Sequence, residues 1–358
     1  MSHVAEPDPN ASSAPDDATE RRASVARHAS PSTLDFGPLA RPARRSLNGD
    51  HPGEPGTMLP PFRDHHVHLM IVGADALRDT GIASVVDLGG PLEEIASYAR
   101  REGLPHVDFA GEFLTAPGGY PVGRSWAAEG SVRELEAVED AGRSSLPTPV
   151  QTAIDEQRAF GASVIKVALN SAAGPVFDRA TLDVIVAEAH AHGLPVVAHV
   201  EGDGMSRLAI EARVDALAHT PFTERVDDEL VARAAAGGQV WISTLHAMSR
   251  GEPSPEVEFG LDNLSRFRAA GGRVLYGTDL GNGDQPLGVN PDELAALVRA
   301  GLGASDLIAA LTDPWPGPVV PLDGIATFLP GTPPTALDDV PEWLASAVIV
   351  PIEDLELR

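Results

Sequence analysis

The pentapeptide Asp64-His65-His66-Val67-His68 lies in an apolar setting and places two imidazoles two residues apart. In a strand the side-chain period is two, so His66 and His68 share one face while His65 and Val67 take the other. Two neutral imidazoles on one face form half of a divalent-metal site. Lys166 stands inside a second apolar run, Val164-Ile165-Lys166-Val167-Ala168-Leu169. An ammonium there is costly to desolvate, and it needs a partner or gives up its proton. Three chemistries suit it: pairing with a carboxylate, a Schiff-base amine, or a carbamate formed with CO₂ whose oxygens bridge two cations. A lysine snorkelling from a strand end is the bland alternative. His199 ends Val196-Val197-Ala198-His199, His219 ends the run 214–219, and Asp279 follows Tyr276-Gly277-Thr278.

These residues need elements to position them. From residue 60 onward, strand-like runs at 62–68, 82–88, 107–114, 163–169, 195–200, 214–219, 239–245 and 273–278 alternate with helical patterns. Leu182, Ile185, Val186 and Ala189 follow the i, i+3, i+4, i+7 rule and end at Gly193. Leu261, Leu264 and Phe267 repeat it and end at Gly271-Gly272. Eight strands alternating with helices over about 250 residues predict an α/β fold, a closed (β/α)₈ TIM barrel. A doubly wound sheet would need a glycine-rich phosphate turn after its first strand, and Gly89-Gly90 is too slight for that. Active sites of such barrels lie at the C-terminal strand ends, where His68, Lys166, His199, His219 and Asp279 all fall.

The flanks read differently. Residues 1–57 are rich in Pro, Ser, Ala, Asp and Arg, carry Phe36 as their single aromatic, and predict a disordered tail. Met58 follows at once, so that tail either belongs to the protein or precedes its true start. The barrel is expected over 58–312. Residues 313–358 contain Pro314, Pro316, Pro318 and Pro321 and predict an irregular extension packed on the barrel, with one helical stretch near 341–347.

Composition narrows the chemistry. The chain of 358 residues carries 52 acidic and 26 basic side chains, a net charge of −26. That disfavours nucleic acid or an anionic membrane as partner and favours a neutral or cationic small-molecule substrate. There is no cysteine, which excludes disulfides, thiolate nucleophiles and cysteine-bound metal. Any metal must sit on His, Asp, Glu or a modified Lys. No apolar run reaches membrane-spanning length and no basic-then-apolar leader is present, so a cytoplasmic location is expected. Association into a homo-oligomer is left open.

Asp64-x-His66-x-His68, Lys166, His199, His219 and Thr278-Asp279, in this order over residues 60–310, resemble the amidohydrolase superfamily of metal-dependent hydrolases. The likeness is strongest to its imidazolonepropionase-like and prolidase-like branch, through Val197-Ala198-His199-Val200-Glu201-Gly202, Ala218-His219 and the stretch 114–121. The resemblance implies a binuclear centre, usually of two Zn²⁺. His66, His68 and Asp279 would hold one ion and His199 and His219 the other, with carboxylated Lys166 and a hydroxide bridging them. Asp279 would take the proton of that hydroxide and pass it to the leaving group. The implied enzyme hydrolyses carbon–nitrogen bonds, in a dipeptide, another amide or a cyclic amide, or else a lactone or ester.

The chain departs from the family in three places. Many relatives carry a small β-sandwich built from both chain ends, expected here to be reduced or absent. The loop after the third strand has Gly118-Gly119-Tyr120 where the branch often has a histidine, and Ala218 stands where an acidic neighbour is common. Tyr120 and Arg124 on that loop, and His246 beyond the seventh strand, are candidate substrate contacts. His190 and His192 near a helix C-terminus are explained by the helix dipole, and His65 by packing on the opposite face. Two further readings are a mononuclear zinc hydrolase or deaminase, with Glu201 as general acid and Lys166 spare, and a non-catalytic metal-binding barrel.

Overall fold

The computed structural model describes residues 34–358 apart from 49, 139–146, 250–252, 318–321, 323 and 358. The disordered tail expected over 1–57 therefore lies, for residues 1–33, outside the described residues, as do Pro318 and Pro321. Two strands open the described chain, β1 (Arg41–Arg45) and β2 (Pro55–Leu59). Five follow: β3 (Arg63–Val67), β4 (Ser84–Asp87), β5 (His106–Phe109), β6 (Phe113–Thr115) and β7 (Val132–Glu134). The series continues with β8 (Ile165–Asn170), β9 (Val196–Glu201), β10 (Ala216–Leu217), β11 (Val240–Ile242) and β12 (Arg273–Leu275). The last three are β13 (Ile325–Pro330), β14 (Val348–Pro351) and β15 (Leu355–Leu357).

β3, β4 and β5 form one parallel sheet. A seven-stranded parallel sheet runs in the order β12-β11-β10-β9-β8-β6-β7. Backbone bonds join the two sheets at both ends. The Ser163 N–H donates to the Phe109 carbonyl at 2.9 Å, the His65 N–H to Tyr276 at 3.0 Å, and the Asp279 N–H to His66 at 2.8 Å. β8 is buried at every position and β9 at all but its last, as expected of apolar runs covered on both faces. The helices on either side of β8 start on side-chain caps. Thr148 and Gln151 form a capping box for Pro149–Phe160, which Gly161 ends at φ 100°, and Asp178 caps Arg179–Ala191.

The chain ends correct the expectation of irregular flanks and of a reduced outer sheet. β1 and β2 pair with β13, β14 and β15 in one antiparallel sheet, in the order β14-β13-β2-β1-β15. Met58 lies inside β2, so chain preceding it belongs to the fold. The strands are short, and their partners lie some 270 to 310 positions away (Met58 with Phe328, Ala43 with Leu357), so local periodicity could not reveal the pairing. Alternation still operates. Phe328 packs with Ala43 and Val350, whereas its neighbour Leu329 joins the main core. Gly56 is required where β2 crosses Leu329, because a Cβ there would meet the Leu329 carbonyl oxygen at 2.3 Å.

Thr327 ties this outer sheet to the entry of β3, its buried hydroxyl accepting from the Phe62 N–H at 3.0 Å. The near-isosteric change Thr327→Val keeps the volume and strands that buried donor. A loss of about 1–3 kcal/mol is expected in urea unfolding, and an unchanged midpoint would show that the link is dispensable.

Candidate metal centre

β3 presents its side chains as the period of two requires. His65 turns outward, its ring nitrogens 2.8 Å from the Tyr276 carbonyl and 3.0 Å from that of Asp313. His66 and His68 turn inward, and their Nε2 atoms lie 3.3 Å apart. Both are 3.2 Å from Oδ1 of Asp279. Asp279 reaches this point because Gly277 lets the chain press against β3, where a Cβ would meet Ile242 at 2.4 Å and His66 at 3.1 Å. Asp279 itself adopts φ 57°, a left-handed conformation that Asp tolerates better than most residues.

The remaining histidines come from neighbouring strands. His199 is the fourth residue of β9 and His219 follows β10 by two. The His219 ring lies 4.8 Å from His66 and 5.0 Å from His199 between centroids. Their outer nitrogens are fixed: His66 Nδ1 contacts the Ala218 carbonyl at 2.8 Å, His68 Nδ1 that of Gly89 at 3.2 Å, and His219 Nδ1 the Thr244 hydroxyl at 2.9 Å. Such partners set the tautomer and aim the free Nε2 inward. The backbone carbonyl of Ala218 thus serves a ring of the centre, although its side chain carries no acid.

Electrostatics favours cations. Burial holds His66 and His219 well below the ordinary imidazole value and lowers His199, so these rings are neutral donors at neutral pH. Burial raises the Asp279 carboxyl, but the imidazoles of His66, His68 and His219 outweigh it and hold the group ionised, well below the carboxylate range. Lys166 is 1% exposed, and burial lowers its ammonium to about 7 against the opposing pull of Asp279 and Asp87. The donor atoms of His66, His219 and Asp279 all lie within 4.8 Å of one another, close enough to hold a metal ion. Neutral imidazoles converging on a buried carboxylate fit such an ion.

These groups share a cavity of about 550 Å³ whose wall also includes Phe113, Tyr120, Trp126, Phe222 and Glu201. Comparisons with known proteins bear on the architecture. No protein-family model matches the chain, and no curated protein does. Among solved structures, a Xaa-Pro dipeptidase with methionine bound in its active site is 18% identical, with a TM-score of 0.61 over 85% of this chain and 87% of that one. A. niger ochratoxinase is 21% identical, with a TM-score of 0.56 over 71% and 70%. Molinate hydrolase is 17% identical, with a TM-score of 0.57 over 84% and 83%. The chain shares the fold of these solved structures.

Within this fold, the six residues His66, His68, Lys166, His199, His219 and Asp279 all line the one cavity. Tyr120 lines it too, stacked on His199 at 4.9 Å. Arg124 does not; it is exposed, with its guanidinium carbon 5.7 Å from the Tyr120 ring. His246 lies outside as well, lining an adjacent pocket with Asn282 and Asp284. Sequence reasoning missed Trp126, Phe113 and Asn282, whose amide donates to Asp279 Oδ2 at 2.8 Å. Phe113 stands directly opposite Lys166 in the register of β6 and β8, a pairing the sequence alone does not signal.

Glu293 holds the backbone beside this pocket, its Oε2 accepting from the His246 N–H at 2.6 Å. Burial lifts its carboxyl from 4.5 to about 7. Its folded-state proton is held more tightly than in the unfolded chain, so its stabilising contribution is full below pH 4.5 and falls as pH rises through 7. Glu293→Gln should therefore gain stability relative to wild type between pH 4.5 and pH 8, by up to about 3 kcal/mol. Denaturant titrations at several pH values check this, and a pH-independent difference would refute it.

Proposed function

We propose that the protein is a metal-dependent hydrolase with a binuclear centre that cleaves an amide, cyclic amide or lactone of a small molecule. The observation that carries this reading is the convergence of four buried histidines, Asp279 and a lysine displaced toward neutrality on one cavity. The bonds joining the two parallel sheets at Phe109–Ser163 and at His66–Asp279 favour a closed (β/α)₈ barrel, in which this cavity is the mouth. The hydrolases named among similar solved structures agree with the reading.

His66, His68 and Asp279 would hold one ion, most simply Zn²⁺, and His199 and His219 the second. Lys166 would lie between them. Its amine, in the neutral form, could add to CO₂ with loss of a proton as the N–C bond forms, and the resulting carbamate would add anionic oxygen donors to those of the histidines and Asp279. Two bound cations would supply Lewis acidity for the scissile carbonyl and bring a water's pKa toward neutrality. Asp279 takes the proton released as water adds to the carbonyl, with Asn282 steadying its other oxygen. It then returns that proton to the departing nitrogen or oxygen as the C–N or C–O bond breaks. The rings of Tyr120, Trp126 and Phe113 exclude water on the loop side.

The compact donor group His66, His219 and Asp279 favours a second reading, a single-ion hydrolase or deaminase in which Lys166 stays a free amine. Plasma mass spectrometry separates the two, with about two equivalents of metal expected per chain for the binuclear centre and about one for the alternative. Lys166→Ala should reduce the ratio to one or less and lower kcat/KM on the best member of an amide, dipeptide, hydantoin and lactone panel about a thousandfold. Full metal and activity in that variant would remove Lys166 from the mechanism. Thr244→Val, which deprives His219 Nδ1 of its partner, should weaken metal affinity about 10- to 100-fold in competition with a chelator.

A further inference from the structure

Glu201 has no place in the centre described above, yet it is one of the two carboxylates lining the cavity, the other being Asp279. It is the last residue of β9, two positions after His199, so strand parity turns both toward the same space. One oxygen is already engaged: Oε2 accepts from the Asn170 amide at 2.6 Å and lies 3.3 Å from His199 Nε2. That anchor fixes the carboxylate and leaves Oε1 without a hydrogen bond among the described residues. The side chain is one-third exposed, open to the cavity rather than sealed in the core.

Aromatic rings line the same cavity. Tyr120 stacks on His199, with Trp126 5.9 Å from Tyr120 and Phe113 6.0 Å from Trp126. A fixed carboxylate with a free oxygen, flanked by π-faces, is the arrangement that recognises an organic cation by a charge-assisted hydrogen bond and cation–π attraction. Arg124, the cation of the same loop, lies 5.7 Å from the Tyr120 ring and acts on Glu201. It is exposed and forms no ion pair with that carboxylate among the described residues, so its pull is screened by water. A net charge of −26 adds a field that draws cations toward the cavity.

We infer that Glu201, with Tyr120 and Trp126, forms a subsite for a protonated amine, so that the substrate carries an ammonium group within a few bonds of its scissile carbonyl. This deepens the hydrolase reading and rests on it for the identity of the occupant as substrate. The closeness of Glu201 to His199 sets the short spacing, because a carbonyl activated beside His199 leaves room for only a few bonds before Glu201 is reached.

Calorimetry on zinc-reconstituted protein at pH 7 with two isosteric probes, 2-phenylethylamine (protonated) and 2-phenylethanol (neutral), tests the subsite without any turnover. Wild type should bind the amine at least about tenfold more tightly, and Glu201→Gln should abolish that preference while leaving alcohol affinity and metal content unchanged. Equal binding of the two probes by wild type would overturn the proposal. So would a metal content that falls in Glu201→Gln, which would make Glu201 a metal ligand. An amine preference that survives the substitution would place the cation elsewhere and equally refute it. Because no hydrolysis is read, an inactive substrate panel would count against the hydrolase and not against the subsite.

Discussion

The carboxylate of Asp64 accepts from the His66 N–H and the Thr278 N–H, both at 3.0 Å, and from the Thr278 hydroxyl at 2.6 Å. It thereby clamps the first inner strand to the segment that follows the last. The geometry of the centre rests on this contact together with the Asp279 N–H bond to the His66 carbonyl at 2.8 Å, which fix His66 and His68 against a residue more than two hundred positions away. The clamp is buried, and burial lifts the carboxyl to about 7 even against these donors. A costly buried acid persists where it joins two elements that side-chain packing alone would leave free to slide.

Burial also decides the protonation pattern. A water-exposed cluster of histidines and a lysine would spread positive charge and repel a metal ion. Here the surroundings strip protons from His66, His199 and His219 and bring Lys166 close to neutrality, while Asp279 keeps its charge. The result is a set of lone pairs around the Asp279 carboxylate, the condition under which a divalent cation competes well with protons. Asp87 belongs to the same scheme from below, its carboxylate accepting from the Leu69 N–H at 2.7 Å and the Gly89 N–H at 3.1 Å, and so shaping the turn whose Gly89 carbonyl holds His68.

Much of the inner architecture was legible from short apolar runs, because a strand covered on both faces must be apolar throughout and a lysine or histidine within it stands out. Lys166, His199 and His219 were found in that way. The aromatic wall was not. Trp126 lies on a loop whose course no periodicity describes, and Phe113 resembles any core phenylalanine until its register opposite Lys166 is known. His246 shows the reverse error: a histidine just past a strand suggested a cavity contact, but the chain turns into the helix Leu245–Ser249 and carries it into the neighbouring pocket. Arg124 likewise sits on the predicted loop without reaching the cavity wall.

By itself, the sequence determined which residues share a strand face, that the strands alternate with helices, and that any metal must be held by histidine, carboxylate and lysine. These follow from local period and residue chemistry, which do not depend on distant chain. Only the tertiary structure decided that both chain ends build one outer sheet, that Asp64 clamps Thr278, and that Glu201 shares a cavity with the aromatic rings of a loop some eighty residues earlier. Such pairings join short segments that carry little information alone, and they are settled by which burial and hydrogen-bonding options remain once the inner strands have assembled.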